Sequence, residues 1–262
     1  MCVASLGAAA APAAVAGAPA CPAHYVDGRM PEIRNPKLAG ATRELCYSEF
    51  GVMHSGLTRT PLWSAEFLQA RNVLAAHELS RENSFHVERK LPPGQRAELS
   101  DYAHSGFDRG HMAPNGDMPD RQSQQESFSL ANMVPQNARN NRHVWAAIEA
   151  AARKLSKREG TLYLVTGPAF LDTSLQKVGN VLVPSHLYKL VYSPRQKAGA
   201  AWFVRNSEDD QVQVLSIAQL EERVGIDLLP SLSAQQKRVL LRLPGLPHAQ
   251  QRALNPTLDT GE

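Results

Sequence analysis

Apolar side chains recur at helical spacing most clearly over residues 141–160. Val144, Ile148, Ala152 and Leu155 fall on one face of a helix, and Gly160 follows as an end signal. A shorter helix is predicted over 216–225, where Ser216 and Gln219 have the spacing of a capping box. Residues 69–80 have a weaker helical pattern. The chain therefore contains one long amphipathic helix and two shorter ones.

Short runs rich in β-branched and aromatic residues predict strands between these helices. The first two runs form a hairpin, and the run that begins at residue 161 is expected to stop at Gly167-Pro168. The polar segment 81–106 is predicted to be a long loop, a length that is usually functional or disordered. The predicted strands are 45–56, 61–68, 127–135, 161–170, 180–193 and 198–206.

Composition indicates a globular protein without the strongly basic charge that is typical of proteins that bind polyanions over much of their surface. The 262 residues suit one domain with a sizeable core, with 43% hydrophobic and 20% charged residues. The net charge is +3 and the pI is about 8.8. This mildly basic balance neither proves nor excludes a nucleic-acid partner, because a local site can still bind phosphate.

The two ends of the chain differ from its middle. Residues 1–20 are uncharged and alanine-rich and end in Ala-Pro-Ala, which favours a signal-like leader and a secreted or periplasmic protein, although the positively charged start of a secretory signal is missing. Residues 21–44 are predicted to be an N-terminal arm, and 236–262 a partly disordered tail. Outside the leader no segment approaches 18 apolar residues, so no membrane span is expected.

Cysteine usage leaves two interpretations. The chain has Cys2, Cys21 and Cys46. If the leader is removed in an oxidising compartment, Cys21 and Cys46 would form a disulfide. In a reducing compartment they would be two buried thiols.

The most unusual short segment is "FDRGHMAP", residues 107–114. His111 can accept a proton at neutral pH, and Arg109 has a planar fork that suits phosphate. Gly110 allows a close backbone approach, and Asp108 can orient a neighbour. A lone histidine usually has no catalytic role, but this combination suits hydrolysis of a phosphodiester.

A second polar cluster precedes the long helix. Capping explains one of its asparagines, and a carboxamide oxygen is also a hard ligand suited to Mg²⁺. Asn141, Trp145 and Glu149 follow at i, i+4 and i+8 along one side of the helix. The asparagines of this cluster are Asn132, Asn137, Asn140 and Asn141.

Together, "DRGHMAP" and "NMVPQNARNNRHVWAAIE" resemble the DNA/RNA non-specific endonuclease family of the ββα-metal (His-Me finger) superfamily. Four further segments resemble family segments in the same order, so that the resemblance covers roughly residues 45–230 and predicts an endonuclease domain over 45–235. It implies an α+β fold in which a central, mostly antiparallel sheet is flanked by helices. The four segments are "HSGLTRTPLWSAEFL", "DYAHSGFDRGH", "LYLVTGP" and "VPSHLYKLVY".

The resemblance also implies roles for individual residues. His111 matches the general base. Asn141 matches the protein ligand of a hydrated Mg²⁺, for which Mn²⁺ is the alternative ion, and Asn140 is the alternative ligand one residue away. Glu149 matches an acidic residue near the water shell of the metal, and Asn132 a polar contact near metal and base. The phosphate contacts are Arg81, Arg109 and Asp108.

The resemblance implies DNA and RNA as substrates and products that carry a 5′-phosphate. It leaves open a homodimer and a protein inhibitor as partners. His104 and His143 are the alternatives for the base, and zinc is disfavoured because the chain has no CxxC or HxxxH pair. The alternative function is a nucleic-acid-binding relative that has lost catalysis, although such a loss should first remove His111 or Asn141.

Overall fold

The computed structural model describes residues 19–246 and the backbone of 250–253. Its strands are β1 (Glu32–Ile33), β2 (Thr42–Cys46), β3 (Phe50–Ser55), β4 (Thr60–Gln69), β5 (Phe107–His111), β6 (Met133–Asn137), β7 (Thr161–Ala169), β8 (Lys177–Val178), β9 (Val181–Leu182), β10 (His186–Ser193), β11 (Ala198–Arg205), β12 (Gln211–Leu215), β13 (Ile226–Asp227) and β14 (Gln250–Ala253). Its α-helices are α1 (Ala70–His77), α2 (Leu99–Tyr102), α3 (Arg121–Ser127), α4 (Ala138–Asn140), α5 (Ala146–Glu159) and α6 (Ile217–Val224).

One large sheet forms the centre of the fold, in the strand order β14-β12-β11-β10-β7-β4-β3-β2. Neighbouring strands are antiparallel except at the edge, where β14 pairs parallel to β12. The predicted α+β class with a mostly antiparallel central sheet is therefore confirmed.

Each face of the sheet buries its own apolar cluster, since successive side chains of a strand point to opposite faces. On one face, Trp63 and Tyr188 pack with residues of α6 and of the N-terminal segment. On the other face, Leu164 and Trp202 pack with Trp145 and with Ile148 of α5. The hairpin of β5 and β6 lies on this second side of the fold, together with the long helix.

The long helix begins earlier than its apolar pattern predicts. It starts at Ala138, where the Asn137 side chain accepts a hydrogen bond from the Asn140 backbone N–H (3.0 Å). Capping thus accounts for one asparagine of the cluster, as expected. A π-helical turn over Asn141–Trp145 then links α4 to α5. Such turns are frequent at functional sites.

Four strand predictions need correction. The run 45–56 contains the end of β2, a turn and β3, and the run 180–193 is divided into β9 and β10. The run 127–135 contributes only its last residues to β6. Gly167-Pro168 does not end β7, which continues to Ala169. Pro168 lies beyond Thr166, where the pairing of β7 with β4 stops, so its missing N–H removes no bond to β4.

Both end segments contribute more to the domain than predicted. In the predicted arm, Tyr25 and Val26 are buried in the core, and β1 pairs with β13. In the predicted tail, Leu241 is buried and Lys237 forms ion pairs with Asp227 and with Glu221. Residues 21–44 and 236–246 are therefore packed parts of the fold, and the predicted leader lies outside the described residues apart from 19 and 20.

No helix among residues 19–246 or 250–253 is long and apolar enough to cross a membrane.

Cys21 and Cys46 form a disulfide, as the oxidising interpretation predicts. Their Cα atoms are 5.4 Å apart, and the bond spans 25 residues of sequence. It ties the N-terminal segment to the end of β2 at the edge of the large sheet.

We expect the disulfide to contribute on the order of 3 kcal/mol to the free energy of unfolding, since it closes a loop of this length in the unfolded chain. Chemical denaturation of Cys21→Ser/Cys46→Ser against the parent measures this difference. Thiol titration of the unfolded full-length chain should detect one reactive cysteine before reduction and three after it. Three reactive thiols before reduction would show that the bond does not form in solution.

Candidate active site

A small hairpin and the helix that follows it bring the motif residues together. β5 and β6 pair antiparallel, with His111 opposite Met133 and Arg109 opposite Pro135. The chain then passes directly from Asn137 into the helix at Ala138. This strand–strand–helix unit places the histidine segment beside the start of the long helix.

His111 lies in an aromatic environment and is 8% exposed. Its ring meets Phe128 edge-on at a centroid distance of 4.9 Å, and Phe85 lies at 5.7 Å. Burial, assisted by the positive charge of Arg81, lowers the pKa of His111 to about 3. Its buried Nε2 has no hydrogen-bond partner among the described residues. The imidazole is therefore neutral near pH 7, which is the form that a general base needs.

The hairpin requires glycine at position 110. A Cβ built on Gly110 would lie 2.0 Å from Oε1 and 2.7 Å from Cβ of Gln136. The Nε2 of Gln136 donates to Oδ1 of Asn140 (2.7 Å), and the amide of Asn140 donates to the carbonyl of Arg205 (3.0 Å). Gly110 thus permits a buried amide chain that connects the hairpin to the large sheet.

Asn140 and Asn141 face different surroundings. Asn140 is fully buried in the amide chain just described. The Nδ2 of Asn141 donates to Asp108 (2.9 Å), and within the described residues no protein group donates to its Oδ1. Because the bond to Asp108 fixes the orientation of the carboxamide, Asn141 is the one of the pair that offers an oxygen ligand.

Asp108 organises this end of the helix. Both of its oxygens accept hydrogen bonds from Arg142, at 2.8 and 2.9 Å. Burial raises the pKa of Asp108, but the hydrogen bonds from Arg142 and Asn141 outweigh it, so that the pKa is lower than usual. Both carboxylate oxygens are thus engaged with protein groups, and a phosphate contact of Asp108 stays a prediction.

An open cleft of about 340 Å³ lies in front of these groups. The guanidinium of Arg109 stacks on Phe85 at 4.3 Å, and that of Arg81 lies 5.3 Å from the centroid of Phe128. Both arginines therefore lie on the rings that surround His111, where they can bind a phosphate. The cleft is lined by Arg81, Phe85, Tyr102, Phe107, Asp108, Arg109, Asn141 and Arg142.

Glu149 is half-buried and lies within a group of charged side chains. Burial raises its pKa to about 7, against the opposing effect of Lys189 and Arg153. Asp117 forms an ion pair with Arg153 at 3.1 Å. Glu149 has no hydrogen bond to Arg81 among the described contacts, but the charge of Arg81 also lowers its pKa. Sequence reasoning identified Glu149 but not the charged residues around it.

Asn132 supports the histidine segment from behind. Its amide oxygen accepts hydrogen bonds from Ala113 (2.9 Å) and Ser64 (2.8 Å), and its Nδ2 donates to the carbonyls of Ala113 (2.8 Å) and Ser127 (2.9 Å). These four bonds satisfy the amide within the protein. The structure thus gives Asn132 a positioning role, at the two residues that follow His111.

The alternative histidines lie apart from this arrangement. His104 and His143 are exposed, and neither lines the cleft.

Sequence reasoning missed the aromatic lining of Phe85, Tyr102 and Phe107. The sequence signal that could have indicated this lining is Phe85, the one phenylalanine within the polar segment 81–106. It also missed Arg142, which follows Asn141 directly.

A comparison with family models decides the classification. The model of the DNA/RNA non-specific endonucleases matches residues 31–235, most of the chain. The protein belongs to the DNA/RNA non-specific endonuclease family. Membership makes the chain a hydrolase of the nuclease class, and the strand–strand–helix unit carries the family motif residues.

Individual members of the family are similar over long stretches. Nuclease C1 of Cunninghamella echinulata var. echinulata is 36% identical over 60% of this chain and 68% of its own length. The mitochondrial nuclease of Saccharomyces cerevisiae is 30% identical over 74% of this chain and 68% of its own length. The crystal structure of an EndoG/EndoGI complex contains a chain with a TM-score of 0.63 and 26% identity, over 74% of this chain and 88% of that one. The fold is therefore shared with an endonuclease of known structure.

We predict that Gly110→Ala will cost about 1–3 kcal/mol of stability and much of the activity, because the new Cβ collides with the buried Gln136. Chemical denaturation and a nicking assay measure the two effects. Gly94→Ala is the matched control, since a Cβ there meets nothing within 4 Å. Equal stability of the two variants would mean that the Gln136 side chain can move away from the new Cβ without a loss in the free energy of unfolding.

Proposed function

We propose that this protein is a metal-dependent endonuclease that hydrolyses phosphodiester bonds in both DNA and RNA and leaves a 5′-phosphate. The proposal rests on two groups of the strand–strand–helix unit: a neutral, buried His111 at the end of β5, and the carboxamide oxygen of Asn141 at the start of the helix, which has no protein donor among the described residues. Asn141 lines the cleft together with Arg81 and Phe85, and the ring of His111 lies behind that lining, 5.7 Å from the ring of Phe85. Family membership supports the substrate class.

The residues at the cleft fit a hydrated Mg²⁺, with Mn²⁺ as a substitute. Magnesium keeps most of its waters and needs few protein ligands, and Oδ1 of Asn141 is a hard oxygen without a protein donor in the described part of the chain. When bound, the metal supplies positive charge that stabilises the transition state and the leaving oxygen. Asp108 holds the carboxamide so that its oxygen is presented to the cleft.

His111 is the general base of the proposed reaction. A neutral imidazole takes the proton from the attacking water, and its apolar surroundings keep it unprotonated before substrate binds. Phe128 and Phe85 limit the motion of the ring. Bond cleavage on the side of the 3′-oxygen leaves the phosphate on the 5′ end of the product.

Arg81 and Arg109 bind the scissile phosphate. Their guanidinium groups lie on the rings of Phe128 and Phe85, which orient them, and within the described part of the chain neither forms an ion pair with a carboxylate. A guanidinium that is not neutralised by an ion pair can stabilise the extra negative charge of the transition state. Glu149 would complete the site as an acidic residue near the water shell of the bound metal.

We also propose that the protein acts in a secreted or periplasmic compartment, because the Cys21–Cys46 bond requires oxidising conditions. Its partners are its nucleic-acid substrates, with a homodimer and a protein inhibitor as further candidates. EndoG in the similar structure is in complex with its inhibitor, EndoGI. Size-exclusion chromatography of the purified chain tests the dimer.

His111→Ala should reduce turnover by about 10²- to 10⁴-fold, the usual effect of losing a general base, and leave nucleic-acid binding intact. Plasmid nicking and RNA cleavage with Mg²⁺ and with EDTA measure the activity, and electrophoretic mobility shifts measure binding. His104→Ala is the control, since His104 is exposed and lies outside the cleft. Turnover close to that of the parent would assign the base to another residue, and EDTA-resistant cleavage would exclude metal dependence.

The two adjacent asparagines should respond in opposite ways. Asn141→Ala should abolish most Mg²⁺-dependent turnover and preserve the melting temperature, whereas Asn140→Ala should lower stability by about 1–3 kcal/mol because it leaves buried partners unpaired. Glu149→Gln should be less damaging than Asn141→Ala, with a loss of about 10- to 100-fold.

Mg²⁺ titration of activity and thermal denaturation of the three variants test this assignment. If Asn140→Ala loses its Mg²⁺ response at unchanged stability, the ligand is Asn140. If Glu149→Gln alone abolishes the Mg²⁺ response, the carboxylate is the ligand.

A further inference from the structure

A lysine is fully buried in the middle of the large sheet, directly beneath the active site. Lys189 of β10 is 0% exposed, although lysines are almost never fully buried unless they are paired. Its strand neighbours Tyr188 and Leu190 point into the cluster on the face of α6, whereas Leu187 and Val191 point toward α5. Strand alternation therefore directs Lys189 toward α5 and the catalytic hairpin.

The ammonium group of Lys189 contacts three separate parts of the structure. It donates to the hydroxyl of Thr166 on β7 (2.7 Å) and to the carbonyl of Met112 (3.4 Å). It also lies 5.8 Å from the ring centroid of Trp145. Met112 follows the base His111, and Trp145 lies midway between Asn141 and Glu149. One ammonium thus joins the sheet to the segment of the base and to the helix of the proposed metal ligand.

Two acids, Glu66 and Glu149, interact electrostatically with the buried lysine, although neither forms an ion pair with it among the described residues. Glu66 is 2% exposed, and one of its oxygens has no hydrogen-bond partner among the described residues. Lys189 opposes the rise in the pKa of Glu66 and of Glu149 that burial causes. A buried charge is tolerated when opposite charge is close, and removal of one partner is costly.

The backbone after His111 is held from two sides. The N–H of Met112 donates to the carbonyl of Asn132 (3.0 Å), while its carbonyl accepts from Lys189. Ala113 is bound to the amide of Asn132 through both its N–H and its carbonyl. Of these contacts, the one from Lys189 is the only one that also reaches the long helix.

Resting on the proposed roles of His111 and Asn141, we propose that Lys189 is a positioning residue that sets the distance between the base and the metal ligand. It does not touch the substrate. Its effect arises because the Met112 carbonyl and the Trp145 ring share one ammonium that is anchored on Thr166. The competing explanation is that Lys189 only balances the buried carboxylate of Glu66.

Four variants separate these explanations: Lys189→Met, Glu66→Gln, the double variant, and Lys177→Met as the exposed control. Lys189→Met should lower kcat by about 10- to 100-fold, as with other outer-shell contacts, with KM unchanged on plasmid. The same loss should appear on a small phosphodiester such as bis(p-nitrophenyl) phosphate, because the defect lies at the reacting centre. The double variant should regain thermal stability without regaining kcat.

A second measurement does not depend on activity. Amide hydrogen exchange of Met112, which is buried and bonded to Asn132, should be faster in Lys189→Met and in the double variant than in the parent, and unchanged in Lys177→Met. If Lys189→Met does not fold, the double variant supports the comparison, since it removes the uncompensated carboxylate together with the lysine.

The results distinguish this inference from the proposed function. A double variant with full kcat and slow Met112 exchange would show that Lys189 only balances the charge of Glu66, and would overturn the proposal. An unchanged kcat in Lys189→Met would also overturn it. If the parent protein itself shows no metal-dependent cleavage, the proposed function fails, and exchange at Met112 still decides whether Lys189 holds this segment. A rise in KM with kcat preserved would place the effect in substrate binding and also overturn the proposal.

Discussion

The central constraint is that the hairpin of β5 and β6 and the helix after it bury polar groups against an apolar sheet face, and each buried group needs a partner. An unpaired buried polar atom costs free energy comparable to a lost hydrogen bond, and an unpaired charge costs more. A row of polar side chains across three neighbouring strands meets this need. Ser64 on β4 pairs in register with Thr166 on β7, which pairs with Lys189 on β10. Ser64 binds Asn132 and Lys189 binds Met112, so the row supports the segment after His111 at two points.

This support explains how a small hairpin can hold a base accurately. β5 and β6 form a two-stranded sheet of their own, and such a pair is only marginally stable in water. The amide of Asn132, the Gln136–Asn140 pair and the lysine contact connect it to the large sheet and the helix. Functional groups therefore lie on a rigid frame, while the open cleft is bordered by side chains that can adjust to a bound phosphate.

Much of the fold and of the motif residues could be predicted from the sequence, because those signals are local. The capping box of Ser216 and Gln219 occurs as predicted, with Gly225 in a left-handed conformation at the end of α6. The predictions that failed depend on distant partners. The turn between β2 and β3 is held by Glu126, which binds the backbone N–H of Ser48 (2.7 Å) from 78 residues away. Gly167 lies within its strand and does not end it, because the Leu62 carbonyl approaches so closely that only glycine fits. A Cβ at this position would lie 2.5 Å from that oxygen.

The same distinction applies within the site. The spacing of Asn141, Trp145 and Glu149 can be read from the sequence, but the difference between Asn140 and Asn141 cannot, since they are adjacent asparagines in the first turns of the same helix. It arises because Gln136 and Arg205 enclose the first and Asp108 orients the second. Likewise, the sequences around Lys189 and Glu66 each predict a strand that contains one charged residue, and such a residue usually faces solvent. Only the strand order β4-β7-β10 brings these two charges under the active site. The motif thus indicates which residues are candidates for catalysis, and the hydrogen bonds of buried polar groups across the sheet determine where those residues are held.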